Sequence, residues 1–412
     1  MRPGPSGRAA VRACFSSGSG GADPAGPAEG TVLSIASRPA PQPDGSPLTV
    51  GVEEEFLLVD TGLGAAVPCA PEVIEQASAR FGAGQVQAEL FPTQVEIASA
   101  PCTALAELRA DLRRLRRGVA DAARSAGCRP MASGTAVLAA ATPVEVTDKP
   151  RYRRMARTFA PIAESQAEGV CGCHVHVGIA DRDEAVQVGN ALRPWLPALE
   201  ALAANSPFRH GRDSGYASTR ALIWCRWPSA GPAPRFTSAK AYDDAVDALV
   251  DSGMLLDRKM VYWYARLSDR YPTIEIRVAD VNADLDTVVL FAALARGLCA
   301  TLLAEVRAGR PVPVVPDELL RAAHWRAAHD GLEGLGVDLV TGRLRPARDL
   351  LERLVEHARP GLEAAGDQGT VSTLLSRLHR LGGGSARQRA AYARHGDFRE
   401  VVDDLAAATA TA

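Results

Sequence analysis

The stretch TVGVEEEFLLVD, Thr49 to Asp60, sets three consecutive carboxylates, Glu53, Glu54 and Glu55, inside an apolar, β-prone run. Side chains alternate across a strand, so Glu53 and Glu55 share one face while Glu54 takes the other. Two carboxylates close together on an apolar segment cost free energy unless a cation or a donor meets them, and hard divalent ions such as Mg²⁺ take oxygen ligands of this kind. Glu53 and Glu55 are therefore candidate metal ligands, with a solvated edge strand as the competing reading. Glu54, turned away, is expected to contact a helix or to form an ion pair.

Working outward, three more segments have the same grammar. FPTQVEIAS places Glu96 between Val95 and Ile97, with Gln94 on its own face. In RYPTIEIRVAD, Ile274, Ile276 and Val278 point one way and Glu275 and Arg277 the other. VCGCHVHVGIAD puts His174 and His176 two apart, on one strand face. Four strands with acidic, basic or imidazole groups on one face describe a polar floor. Alternatives stay open for each piece. Glu275 and Arg277 could be a structural ion pair. The histidines could be satisfied core residues, or zinc ligands with Cys171 or Cys173 completing the set. An acid-rich site favours Mg²⁺ or Mn²⁺ over zinc. Carboxylates that hold metals, beside arginines that meet phosphate oxygens, are the parts a phosphoryl-transfer site needs.

Taken together, GVEEEFLLVD, TQVEIAS, PRYRRM (150–155), CGCHVHVGIADRD, LRPWLPALEALAANSPF, GRDSGYASTRALIW and RYPTIEIRVADV closely resemble the bacterial carboxylate-amine ligases known as type 2 glutamate-cysteine ligases. The resemblance covers roughly residues 48–406, with several long motifs in fixed order. It implies an α+β fold like the catalytic domain of glutamine synthetase and the guanidino kinases: a curved antiparallel sheet with helices packed on its outer face. It also implies a chemistry. ATP phosphorylates a substrate carboxylate, and an amine attacks the acyl phosphate to give an amide, as in a glutamate-cysteine ligase. By motif, Glu53, Glu55, Glu96 and Glu275 look like ligands for Mg²⁺ or Mn²⁺, with His174 a further ligand or a phosphate donor. Arg277 and Arg220 look like clamps on the transferring phosphoryl group of ATP, and His176 like a substrate contact. Asn205 and Ser206, near a helix end, read equally well as caps. One departure stands out: many members have Gly-Thr-His-Pro-Phe where this chain has Gly134-Thr135-Ala136-Val137-Leu138. That change bears on the substrate more than on the chemistry.

With 412 residues, 47% of them hydrophobic, the chain can bury a large core, and the dispersed motifs favour one catalytic domain over residues 48–406. A net charge of -2 gives no reason to expect nucleic acid or an anionic membrane as partner. No apolar run reaches about 18 residues, so no membrane-spanning helix is expected. Eight scattered cysteines match neither a zinc ribbon nor a secreted disulfide scaffold and point to a reduced, cytoplasmic setting. Small-molecule amino acids and amines are the expected partners, and a homodimer is compatible with the sequence.

Residues 1–47, rich in Gly, Pro, Ser and Ala, are expected to be disordered, and so is a short tail, 407–412. Helical spacing is read over 104–126, 187–204, 241–256, 284–306, 317–330 and 346–365. In the first of these, the arginines at 113, 114, 116 and 117 are expected on a solvated face. Besides the ligase, a guanidino-kinase-like phosphotransferase and a metal-dependent amidohydrolase remain as readings. The first would share the fold and arginines, and the second would rest on the His-x-His pair.

Overall fold

The strand centred on Glu54 is the hub of the molecule. A computed structural model describes residues 46–411 except Ala83 and Ala167. The expected disordered extension therefore lies outside the described residues, save for Ser46 and Pro47. In chain order the elements begin with β1 (Val50–Asp60), α1 (Ala70–Phe81), β2 (Val86–Ala88), β3 (Gln94–Ala98), α2 (Leu105–Ser125) and β4 (Cys128–Met131). Then come α3 (Pro150–Thr158), α4 (Ala160–Glu164), β5 (Gly172–Gly178), α5 (Arg182–Leu192), α6 (Leu196–Ala203), β6 (Phe208–Arg209), β7 (Arg212–Asp213) and α7 (Thr219–Trp224). They are followed by α8 (Ala239–Asp251), β8 (Ala265–Leu267), β9 (Thr273–Asp280), α9 (Leu285–Arg307), α10 (Asp317–Asp330) and the hairpin β10 (Leu335–Asp338) and β11 (Arg343–Pro346). Four helices end the chain: α11 (Ala347–Ala364), α12 (Gln368–Leu381), α13 (Gly384–His395) and α14 (Phe398–Thr411).

This is an α+β fold built on one antiparallel sheet of order β2-β3-β1-β5-β9-β8, with β4 pairing the far end of β1. Alternation along β1 sends Val50 and Val52 into a core shared with Val175, Val177, Ile274, Ile276 and the side chains of α9. Helices α2, α6 and α9 pack against these strands. The described residues belong to one compact unit.

Glu54, on the same face as Val52, is fully buried. Arg116 of α2, also fully buried, meets it with two bonds, Nε to Oε2 at 2.9 Å and Nη2 to Oε1 at 2.5 Å. The remaining guanidinium donors reach the carbonyls of Asn282 and Ala283, at 2.7 and 2.8 Å. A buried ion pair is tolerable when further hydrogen bonds use up its donors, and this one has them. The solvated-face reading of the arginine run thus fails at Arg116: an arginine five residues from Asp111 and from Asp121 gives no local sign of a partner 62 residues away.

Other boundaries differ from the spacing. The helix expected over 187–204 is two, α5 and α6, because Pro194 falls between them and Pro197 sits in the first turn of α6, and Pro can open a helix but not continue one. Of the tail expected to be disordered, residues 407–411 are instead the end of α14, and residue 412 lies outside the described residues. Thr409 is buried there, and its hydroxyl accepts a 3.0 Å bond from the Ala132 N–H. Helix α9 is long and apolar enough to cross a membrane by length and composition, contrary to the sequence reading, yet 89% of that window is buried inside the fold. A helix apolar all round is at home in a core. Its one mid-helix charge, Arg296, is paired 2.5 Å from Asp367.

Candidate active site

The opposite face of the sheet is polar by the same alternation. Across β1, register sets Glu53 beside His174 of β5 and Glu55 beside Glu96 of β3. Across β5 and β9 it sets His176 beside Glu275, and across β8 and β9 Arg266 beside Glu275. All of the sequence-predicted groups on these strands therefore converge on one surface. Three sets of side chains bring ligand atoms within 4.8 Å of one another: Glu53, His176 and Glu275; Glu53, Glu96 and His174; and Glu55, Glu89 and Glu96.

The acids fall into two electrostatic classes. Glu275 is held by Arg266 in a bidentate pair, at 2.7 and 3.2 Å, and by Arg277. Burial alone would raise its carboxyl, but these guanidinium groups hold it well below the usual range. The structural ion pair considered from sequence is thus formed, and with a second arginine that sequence did not single out. Glu53 lies 3.4 Å from His174 Nδ1 and 3.4 Å from His176 Nε2. Its burial is outweighed by the two imidazoles, and its carboxyl is lowered. Among the described residues, Glu89 and Glu96 have no such partners, and Glu55 has only His174 Nε2, at 3.9 Å. Burial, with Glu89 adding to it, pushes Glu55 up to about 8 despite Arg220 and a 2.6 Å bond from the Gly172 N–H. Burial raises Glu89 too, and burial with the repulsion of Glu53, Glu89 and Glu55 raises Glu96 well above its ordinary value.

The histidines differ from each other. Burial, then Arg277, pulls His174 down to about 4, so it is a neutral donor-acceptor at physiological pH. Burial also opposes charge on His176, but Glu275 and Glu53 win and raise it; its Nδ1 meets Thr273 Oγ1 at 2.9 Å. Arg277 is stacked near Trp224 and Tyr262, with its guanidinium carbon 5.7 and 6.0 Å from the two ring centroids. Arg220, from α7, sits 5.1 Å over Trp224 and is 2% exposed. A side chain at Gly172 would collide with both Arg220 and His174, so glycine there is what lets these groups share the floor.

Whether the residues suit a divalent ion and a phosphate chain can be asked of the donors. His174 Nδ1, His176 Nε2, Arg277 Nε, and Arg220 Nε and Nη1 are buried without a hydrogen-bond partner among the described residues. Buried polar atoms are rarely left so, and these all belong to one surface rich in uncompensated carboxylate oxygen. The set fits a hard ion and an anionic ligand. It does not fit zinc with cysteine: Cys173 lies with Glu54's face in the apolar core, Cys171 accepts from Gln94 at 3.5 Å, and neither joins a ligand group.

Sequence reasoning passed over two acids. Glu89 follows the alternating QVQAE run, whose polar face already held Gln87, so the signal was present but short. Asp280 was hidden by a register shift: Cys173 pairs with Ala279 but Val175 with Ile276, so β9 has an extra residue opposite His174. Strict alternation sends Asp280 to the apolar side with Val278. The bulge instead leaves Val278 and Ala279 in the core and brings Asp280 to within 3.8 Å of Arg220. Asn205 and Ser206 turn out to bond Asp280. The departure at Ala136 lies in a second apolar core, packed with residues such as Phe208, while Gly134 lies directly against Asp280 and Ser206.

Residues 49–404 match the profile of glutamate-cysteine ligase family 2. The chain belongs to that family. A protein of Saccharopolyspora erythraea provisionally named glutamate–cysteine ligase 2-1 is 50% identical over 366 residues, 87% of this chain and 94% of its own length. One of Salinispora arenicola, provisionally named glutamate–cysteine ligase 2, is 49% identical over 379 residues, 90% and 98% of the two chains. Among solved structures, a glutamate–cysteine ligase from Francisella tularensis in complex with AMP superposes with a TM-score of 0.66 at 12% identity, over 89% of this chain and 88% of the other. A bifunctional glutathione synthetase from Pasteurella multocida gives 0.67 at 15% identity, over 89% of this chain and 52% of that one. These likenesses support the α+β fold. Membership of the glutamate-cysteine ligase family makes the chain an ATP-dependent ligase, and the kinase and amidohydrolase readings give way to it.

Proposed function

We infer that this glutamate-cysteine ligase family member activates the carboxylate of glutamate with ATP and joins it to the amine of an amino acid of the cysteine type, on a sheet of the glutamine synthetase and guanidino kinase kind. The observation that carries the reading is the contrast on the polar floor between compensated groups and those left open. Glu55, Glu89 and Glu96, with Glu53 and His174 beside them, would hold Mg²⁺ or Mn²⁺. Bound there, the ion would offset charge on the triphosphate of ATP.

The chain's own residues do the rest. Arg220 and Arg277 present free guanidinium donors to the phosphoryl group as charge moves from its donor to its acceptor oxygen, and Trp224 and Tyr262 limit how far those groups can swing. Arg266 holds Glu275, and Glu275 in turn fixes Arg277. The substrate carboxylate oxygen attacks the γ-phosphorus and ADP leaves; the amine nitrogen then attacks the acyl carbon and phosphate leaves. His176, its Nε2 3.4 Å from Glu53 and Tyr271 at its side, would contact the substrate. The seven described cysteines are free, which supports a reduced, cytoplasmic setting.

The test is a panel of amino acids and amines with ATP and Mg²⁺, read by mass spectrometry for condensation and by coupled assay for ADP. ADP and phosphate released only when glutamate and an amine are both present support the reading. ATP consumption that leaves a stable phosphorylated product would sink it.

A further inference from the structure

Asp280 poses a physical question, because it is the carboxylate nearest to Arg220 and yet does not bind it. Both are buried, at 1% and 2% exposure, where an opposite pair would be expected to close into a charge-assisted hydrogen bond. Instead Arg220 Nη1 stands 3.8 Å from Asp280 Oδ1 and has no hydrogen-bond partner among the described residues. Both oxygens of the carboxylate are held by other donors. Ser218 Oγ donates to Oδ1 at 2.9 Å, while Ser206 Oγ and the Asn205 N–H donate to Oδ2 at 2.6 and 2.8 Å. Asn205 is itself pinned: its Nδ2 donates to the carbonyls of Ala132 and Val281, and Gln388 of α13 donates to its side-chain and main-chain oxygens at 2.8 and 2.9 Å. Burial pushes the Asp280 carboxyl up although Arg220 and the hydroxyls oppose it, as befits a counter-charge kept short of contact.

We propose that Asp280 is a restrained counter-ion and a positioning residue for Arg220: it offsets the burial of the guanidinium, while Ser218, Ser206 and Asn205 hold it back so that the arginine's donors stay open for a phosphoryl oxygen. The proposal rests on the reading that Arg220 meets ATP. A carboxylate allowed to close on Nη1 would compete with the nucleotide for the same donor. Gly134 belongs to the arrangement, since any side chain there would strike Asp280 and Ser206.

The experiment is calorimetric titration of ADP with Mg²⁺ into the full-length protein and into Arg220→Ala, Ser218→Ala, Asp280→Asn and the Ser218→Ala/Asp280→Asn double variant, each checked by thermal unfolding. Arg220→Ala is expected to weaken nucleotide binding. Ser218→Ala, which frees Oδ1, is expected to weaken it on the order of tenfold, and adding Asp280→Asn is expected to restore most of that loss, because a neutral amide competes poorly for the guanidinium. A purely structural role for Ser218, as the N-cap of α7, predicts no such recovery. Losses that add in the double variant, or a Ser218→Ala protein that binds normally, overturn the proposal while leaving the Arg220 assignment intact. Normal binding by Arg220→Ala removes the assignment itself and the proposal with it. Should Ser218→Ala fail to fold, Ser206→Ala with and without Asp280→Asn makes the same comparison through Oδ2.

Discussion

The two faces of β1 hold carboxylates one residue apart and treat them in opposite ways. Glu54 is sealed under α2, where all three guanidinium nitrogens of Arg116 are engaged by that carboxylate and by two carbonyls. Glu55 and its neighbours Glu89 and Glu96 share a surface where three acids lie within ligand distance and no arginine among the described residues pairs with them. Charge compensated from inside the chain is architecture. Charge left open, with orphaned imidazole and guanidinium nitrogens around it, is capacity to bind. Glu53 and Glu275 lie between these extremes, since histidines and arginines already meet them. That ranks Glu55, Glu89 and Glu96 above Glu275 as ligands, a different order from the one the motifs imply.

The most severe break is expected on the sealed face. Arg116→Met leaves Glu54 as a buried charge with no counter-ion, and removing one partner of such a pair costs about 3–5 kcal/mol. Urea unfolding should show the free energy of unfolding lowered by that much, and the midpoint by that amount divided by the m-value. A loss below about 1 kcal/mol would mean that the site relaxes or admits water, and that the two faces differ less than their geometry says.

On the open face the effect should move from stability to turnover. Glu96→Gln keeps the shape and removes a carboxyl whose ionised form burial and the neighbouring acids disfavour, so the metal-free protein should melt no lower than the parent. Its turnover should nevertheless fall by roughly two powers of ten or more, since the ion it helps to hold would be lost or misplaced. Glu53→Gln should behave alike in turnover. A Glu96→Gln protein with parental kcat at ordinary Mg²⁺ would break the assignment.

Acidity supplies a third probe. A carboxyl raised in the folded state contributes stability that is complete below its unfolded value of 4.5 and is lost as pH climbs through its folded value, about 8 for Glu55. Glu89 and Glu96 act in the same direction. His174, lowered to about 4, works oppositely, but only below its ordinary value of 6.5. His176, raised above 6.5, loses its contribution in the same direction, so between pH 6.5 and about 8 the melting temperature of the metal-free protein should fall as pH rises, and a His176→Gln background isolates the share of the acids. Mg²⁺ should flatten that slope by replacing the protons. A metal-free slope of zero or of opposite sign would show that these acids are ionised in the empty site.

Much of this contrast was legible in the chain because alternation is a local rule. It placed Glu53, Glu55, Glu96, Glu275, Arg277 and both histidines on one face, and Glu54 on the other, with no knowledge of tertiary structure. What it could not give was anything that depends on a non-local partner. Arg116 reads as one more arginine of a solvated run until Glu54 is brought to it from 62 positions away. Asp280 is misassigned by parity until a bulge in β9 reverses it. Asn205 and Ser206 look like helix caps until that same carboxylate arrives. The end of α14 looks like a tail because its amphipathic run is short and its partner, β4, lies far back in the chain.

The smallest effect is expected from the same helix that gives the largest. Arg124, two turns beyond Arg116 on α2, pairs with Asp121 at 3.1 Å, and both side chains are mostly exposed, at 74% and 52%. By distance alone the two ion pairs resemble each other. Water separates them: around Arg124 it screens the attraction, hydrates whichever partner is left, and leaves two long side chains free to move. Arg124→Ala should cost at most about 0.5 kcal/mol, and less at high salt. A loss approaching that of Arg116→Met would mean that proximity of charges along α2, and not their removal from water, sets the cost, and the distinction between the sealed and open faces of β1 would lose its physical basis.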